Sequence, residues 1–386
     1  MIKLNLSKNY LYLTIAFLLA FILFRLFMAG GNFSYFSVFG KNYTNANLTP
    51  FNAYVIEGDG YDGQFFTRYA INPFAFEKTA YGITVDEPLY RNQRVFYPMV
   101  VWLLSMGNAK AVPFTMVLVN ALAFLFLIIG FKKIIVHYQA NPNLIILPFF
   151  VFGLYMSLAR NLSEIVELCL FTWLFFSVIK RKLAITIALA TCAIFTRETS
   201  IISVGPILLG SAIYYLNNKK YLQVLIHGLP IVLYALWRLY LQQTIAASSA
   251  AVGYQHIGLP FVGMWQGLMA NINFTTNTLV MASAFFVAYW VWQIWLVIIT
   301  IQALIKTSST LETKALALAF LLWLILAIVF NFTVWADDWG FVRVFAIWNL
   351  GSMLLLATKN RTPNKMFFIF SILLLSLTFA RVIIRI

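Results

Sequence analysis

An all-α polytopic membrane protein is the fold class this sequence predicts, and three observations predict it. Mean hydropathy is +0.85. Only 10% of the 386 residues are charged, where soluble domains carry about 25%. Apolar runs close to the length of a bilayer crossing, about 18 to 20 residues, recur along the whole chain. They fall at 11–29, 95–131, 144–159, 164–179, 183–196, 199–216, 221–241, 281–305, 315–335, 343–358 and 366–380, so about eleven transmembrane helices are expected. The first run follows Lys3 and Lys8 and precedes no small-residue cleavage site, which predicts a retained anchor rather than a signal peptide. Run 95–131 is too long for one span. It divides into a short interfacial or re-entrant helix up to about Met106 and a true span from about Val112. With no repeat and no large soluble region, the chain reads as one integral membrane domain, 1–386, with two long connecting segments, 30–94 and 242–280.

Charge sorts along this frame. The formal net charge is +15, but the basic residues are dispersed among membrane segments, which argues for cytoplasmic anchoring and against nucleic-acid binding. Placing the N-terminus in the cytoplasm puts Lys132, Lys133, Lys180, Lys182, Lys219, Lys220 and Lys359 inside. It puts every acid except Glu312 at or near the outer face. Lysine dominates inside, while the outer side carries ten arginines, among them Arg25, Arg68, Arg91, Arg94, Arg160, Arg197, Arg238, Arg343 and Arg381. Guanidinium suits forked contacts to phosphate or carboxylate. An anionic ligand at the outer leaflet is therefore expected, with neutralisation of the outer acids as the plainer reading. Cys169 and Cys192 lie in apolar runs, so no disulfide framework is implied, and no Cys/His spacing fits a metal site.

Half of the chain's 12 acids sit in residues 57–98. Within it, Gly58-Asp59-Gly60-Tyr61-Asp62-Gly63-Gln64 places two carboxylates among glycines that let backbone approach closely. Such a pair serves as base and partner, or holds a divalent cation, or is simply an Asp/Gly turn. In the following Gln64–Ala70, Phe66, Tyr69 and Ala70 are at helical spacing, predicting an amphipathic helix lying at the membrane surface around Arg68. Arg91 and Arg94 share a helix face suited to a phosphate or pyrophosphate, or else snorkel. Arg160 with Glu164, and Arg197 with Glu198, sit at two outer turns as ligand contacts or as structural ion pairs. Asp337 and Asp338, between tryptophans, suit a sugar or belong to an aromatic belt. Arg343 heads the next span as a phosphate contact, and His256 is a candidate proton shuttle or phosphate contact in the second long segment.

Tyr61-Asp62 followed by Phe66, then an arginine-bearing stretch and Phe96-Tyr97-Pro98, resembles the GT-C superfamily of membrane glycosyltransferases. It is closest to the group related to GPI mannosyltransferases, whose first outer loop carries Trp-Asp-x-x-x-Tyr; Tyr61 here replaces the Trp and Phe66 the Tyr. The wording of this stretch also resembles bacterial membrane proteins. The resemblance covers about the first 100 residues by motif, and the rest by layout alone. It implies a polyprenyl-phosphate sugar donor, a glycan, lipid or protein acceptor, and a first-loop Asp as catalytic base, which falls on Asp62 with Asp59 second. It further implies an active site on the outer face of a bacterial inner (plasma) membrane. Arg91, Arg94, Arg160, Arg197 and Arg343 would then hold the donor phosphate. Arg68, Glu164, Glu198, His256, Asp337 and Asp338 would orient substrate. The chain has no Walker-type glycine loop. The rival expectation is a transporter or flippase of an anionic lipid or lipid-linked glycan, for which polar residues would more often sit at mid-membrane in repeated halves.

Overall fold

Helices carry most of the chain in the computed structural model, which describes residues 6–245, 256–272, 277–305, 310–336 and 338–384. Lys3 lies outside these residues. The helices are α1 (Leu6–Met28), α2 (Gly63–Ile71), α3 (Pro88–Asn92), α4 (Phe96–Leu104), α5 (Val112–His137) and α6 (Gly153–Ala159). They continue with α7 (Glu164–Ile179), α8 (Leu183–Thr196), α9 (Ile201–Asn217), α10 (Tyr221–Ile226), α11 (Leu229–Thr244) and α12 (Val262–Asn271). The last six are α13 (Asn277–Ile305), α14 (Leu311–Val329), α15 (Phe332–Trp335), α16 (Asp338–Val344), α17 (Ala346–Thr358) and α18 (Lys365–Ile384). The protein is an all-α polytopic membrane protein. Seven stretches among the described residues are long and apolar enough to cross a membrane, and an eighth forms if Pro142–Phe150 and α6, bent by 57°, count as one. Helices α7, α8 and α17 have 16, 14 and 13 residues, short of a full crossing of about 20. The run 95–131 breaks between α4 and α5, with α5 starting at Val112.

Helix α17 is buried from Ala346 to Ala357 and forms the axis of the bundle, with α5, α7, α13 and α14 against it. Polar ties join helices in this core. Trp292 Nε1 donates to Ser371 Oγ at 2.9 Å, Trp323 Nε1 to Ser203 Oγ at 2.6 Å, and Asn349 Nδ2 to the Tyr289 hydroxyl at 2.9 Å. Such bonds matter in lipid, where apolar contact alone does not favour one helix over the solvent. Leu19, Leu23 and Phe27 on α1, Phe126 on α5, Leu236 and Leu239 on α11 and Leu373 on α18 face outward, as lipid-covered surfaces do.

The two ends of the bundle differ in charge. Helix α7 runs about 24 Å at 1.5 Å per residue, from the buried Glu164 to Lys180 just past its end. At the lysine end, Lys132, Lys133, His137 and Lys180 share one cleft. At the acidic end the first long segment folds into a small cap. It contains β1 (Phe39–Gly40) parallel to β2 (Val55–Ile56), and β3 (Thr79–Ala80) antiparallel to β4 (Ile83–Thr84), over a core of Phe39, Phe65, Tyr69, Ile83 and Val85.

Helix α2 departs from the expected amphipathic surface helix: all nine of its residues are buried. Each of its polar side chains finds a partner inside the cap, although Arg68 Nε and Nη1 have no hydrogen-bond partner among the described residues. Arg68 Nη2 donates to the carbonyls of Ala75 and Glu77 at 3.1 and 3.2 Å. Gln64 Oε1 accepts from Gly40 N and Thr44 Oγ1, each at 3.0 Å. Thr67 Oγ1 donates to Gly63 O at 2.8 Å. A helix buried on every side has no face left for headgroups, so α2 is a strut under the Asp62 turn.

Candidate active site

Asp62 stands at the N-cap of α2, where an Asp side chain ordinarily accepts from the first free backbone N–H groups. Here it makes no capping bond. Its carboxylate instead meets two arginines, Oδ1 at 3.0 Å from Arg91 Nη1 and Oδ2 at 2.7 Å from Arg343 Nη1. The turn is built by glycines. Gly60 has φ +67°, and a Cβ there would lie 2.3 Å from Gly40 N; a Cβ on Gly63 would lie 2.1 Å from Arg160 O. Only hydrogen side chains let the turn press against β1 on one side and the end of α6 on the other.

From Asp62 a network of ion pairs runs into the bundle. Arg91 is also bidentate on Asp86, at 2.9 and 2.6 Å. Arg343 Nε lies 3.3 Å from Glu164 Oε1, which also accepts from Arg197 Nη1 at 3.0 Å. Arg197 Nη1 is 3.5 Å from Glu167 Oε2, and Ser200 Oγ donates to Glu167 Oε1 at 2.5 Å. Arg94 is bidentate on Glu198, at 2.8 and 2.5 Å, and also donates to the Tyr90 hydroxyl. Glu164 and Glu167 are nearly sealed, with side chains 3% and 1% exposed, while Asp62 keeps 20%. Asp62, Asp86, Glu164 and Glu167 thus share Arg91, Arg197 and Arg343, and Glu198 pairs with Arg94 beside them. With five carboxylates against four guanidiniums, no arginine of the set is left without an acid, as the plainer reading of the arginines expected for these four. Tyr61 lies between Arg160 and Arg343, with guanidinium carbons 4.5 and 5.2 Å from its ring centre. Arg160 also stacks on Trp339 at 3.7 Å.

Burial would push the Asp62 carboxyl up, but Arg91 and Arg343, with Arg94 farther off, overturn this and hold it well below the usual carboxylate range. A carboxyl depressed on folding contributes stability that is complete above its unfolded value, about 3.9, and is lost as pH falls toward the folded value. The melting-temperature gap between wild type and Asp62→Asn is therefore expected to stay flat from about pH 8 to about pH 5, then shrink below about pH 4. A gap that widens on acidification would contradict the pairing.

Arg94, Arg197, Glu198, Arg343 and His256 line one cavity of about 510 Å³. Its apolar wall is Leu89, Ile202, Leu326, Phe330, Val334 and Val344. His256 Nδ1 is 2.9 Å from Thr333 Oγ1 at the rim. Asp62 reaches the cavity through Arg343. The other expected residues lie elsewhere. Asp59 is exposed, accepts from Asn42 Nδ2 at 2.7 Å and does not line the cavity. Arg68 is sealed in the cap core and does not line the cavity. Asp337, and the side chain of Asp338, lie outside the described residues. Gln93 and Arg238 also line the cavity; the sequence counts Arg238 among the outer arginines but gives neither residue a role of its own. Arg238 had a signal, a single charge in the apolar run 221–241; Gln93 had none.

A divalent cation does not fit this arrangement. Two guanidiniums occupy both Asp62 oxygens, Asp59 is engaged by Asn42, and among the described residues no three His, Cys, Asp or Glu side chains gather. Compared with known proteins, the chain matches no family model, no curated protein and no solved structure.

Proposed function

We propose that this protein is a glycosyltransferase that moves a sugar from a polyprenyl-phosphate donor to an acceptor hydroxyl, at the acidic end of the bundle. In this reading that end faces outward from a plasma membrane. The bent pair and the short helices α7, α8 and α17 each count as a crossing, which makes eleven. The observation that carries the reading is Arg343, which lines an amphiphilic cavity and at the same time holds the Asp62 carboxylate at 2.7 Å. An arginine-rich wall beside an apolar one suits a lipid headgroup, and a carboxylate next to it suits proton removal.

The step runs as a direct displacement. Asp62 accepts the acceptor's hydroxyl proton, the acceptor oxygen bonds to the anomeric carbon, and the bond from that carbon to the phosphate oxygen breaks with inversion. The electron pair leaves with the polyprenyl phosphate, whose growing charge the cavity arginines stabilise. A carboxylate held between two guanidiniums is a weak base. As Arg343 turns to the leaving phosphate, its hold on Asp62 weakens and the carboxylate gains basicity at the moment it is needed. Arg197 and Glu164 fix Arg343 from behind. No step passes through a metal ion.

The test is purified protein in nanodiscs with a panel of polyprenyl-phosphate sugars and candidate acceptors. Release of polyprenyl phosphate coupled to an inverted glycoside is the expected result. Donors that stay intact with every acceptor, and that instead cross the bilayer in liposomes, would establish the flippase reading in its place.

A further inference from the structure

Before any ligand arrives, the four arginines of the network are taken up by carboxylates. Among the cavity-lining residues, Arg94 is taken by Glu198, Arg197 by Glu164 and Glu167, and Arg343 by Asp62 and Glu164. Arg238 is different. Its guanidinium meets one acceptor among the described residues, the side-chain oxygen of Gln93, which also accepts from the Tyr234 hydroxyl at 3.1 Å. An amide oxygen carries no net charge, and a guanidinium has five N–H donors, so Arg238 keeps both its charge and donors to spare.

Its place in the fold has a purpose too. Arg238 is the one charged residue of α11, a helix whose Leu236 and Leu239 face outward. A charge on a membrane helix is expensive unless it serves a partner or ligand. The contact with the neutral Gln93, together with Trp237 Nε1 donating to Asn92 O at 3.3 Å, holds the guanidinium against the cavity wall without quenching it.

Resting on the proposed function, we infer that Arg238 is the main phosphate-binding residue of the cavity, and that Gln93 positions it there because it is neutral. The ion-paired arginines set the shape and the basicity of Asp62, while Arg238 supplies the unspent charge. The chemistry recognised is a phosphate monoester or diester, whether on a lipid or free.

The test measures binding of polyprenyl monophosphate, its dephosphorylated polyprenol and inorganic phosphate to the full chain in nanodiscs. A charge-assisted contact of this kind sets the expected scale. Arg238→Gln should weaken polyprenyl-phosphate binding by about tenfold or more, and Arg238→Lys by less. Gln93→Glu, which hands Arg238 a carboxylate, should weaken it comparably. Polyprenol binding should be unchanged in all three, which also shows that the variants are folded. Competition by inorganic phosphate in wild type but not in Arg238→Gln would place the recognition in the phosphate itself; lipid phosphate binding without such competition would place it in the lipid headgroup seated by its tail. Wild-type affinity in both Arg238→Gln and Gln93→Glu would overturn the inference and leave the proposed function standing. A folded wild-type protein that binds no polyprenyl phosphate would overturn both.

Discussion

Asp62→Asn is expected to cut sugar transfer by about 10²- to 10⁴-fold, the usual contribution of a positioned base, while donor binding persists. Asparagine keeps the shape of the side chain and an oxygen for one arginine, so the cap should stay folded around the glycine turn. What it loses is the proton acceptor, and with it the charge that holds Arg91 and Arg343 together at 3.0 and 2.7 Å. Freed from that carboxylate, Arg343 is more available to a phosphate, so donor affinity should hold or rise while turnover collapses. Single-turnover transfer and donor binding measured on the same preparation separate these two effects. Wild-type turnover in Asp62→Asn would move the base elsewhere. Loss of donor affinity in step with turnover would make Asp62 a structural residue.

The second large effect is on stability. Arg197→Met should destabilise the protein by about 3–5 kcal/mol, because removing one partner of a buried pair leaves charge uncompensated. The carboxylates left behind are Glu164 and Glu167, one turn apart on α7 and almost wholly sealed. Removing one of those charges should give back much of the loss, so the double variant Arg197→Met/Glu167→Gln is expected to be more stable than Arg197→Met alone. Unfolding midpoints in detergent for wild type, both single variants and the double variant complete the cycle. Additive losses would mean that the three groups do not share one network.

Much of the frame was legible in the sequence because bilayer length and charge leave strong marks. The break between Leu104 and Val112, the lysine cleft around Lys132 and Lys180, and the cluster around Asp62 are all local features of composition. The α2 helix was misread for a physical reason. Spacing reports which residues share a face, but Arg68 and Gln64 are polar yet buried, because Ala75, Glu77 and Gly40 supply partners folded back from outside the helix. The pairing within the site was equally hidden. Arg343 and Asp62 are 281 residues apart, and no pattern in either segment says that the arginine is spoken for. The same gap concealed Arg238, whose significance lies in the carboxylate it lacks among the described residues.

The central claim, that a donor phosphate is held at the acidic end beside Asp62, is tested most directly by a structure of the protein with a non-cleavable polyprenyl-phosphonate sugar. The account predicts the phosphonate in the cavity between α11 and α16, within hydrogen-bond reach of Arg238 and Arg343, with the sugar toward Asp62. Density for the headgroup in the cleft of Lys132, Lys133 and Lys180 at the opposite end would contradict it.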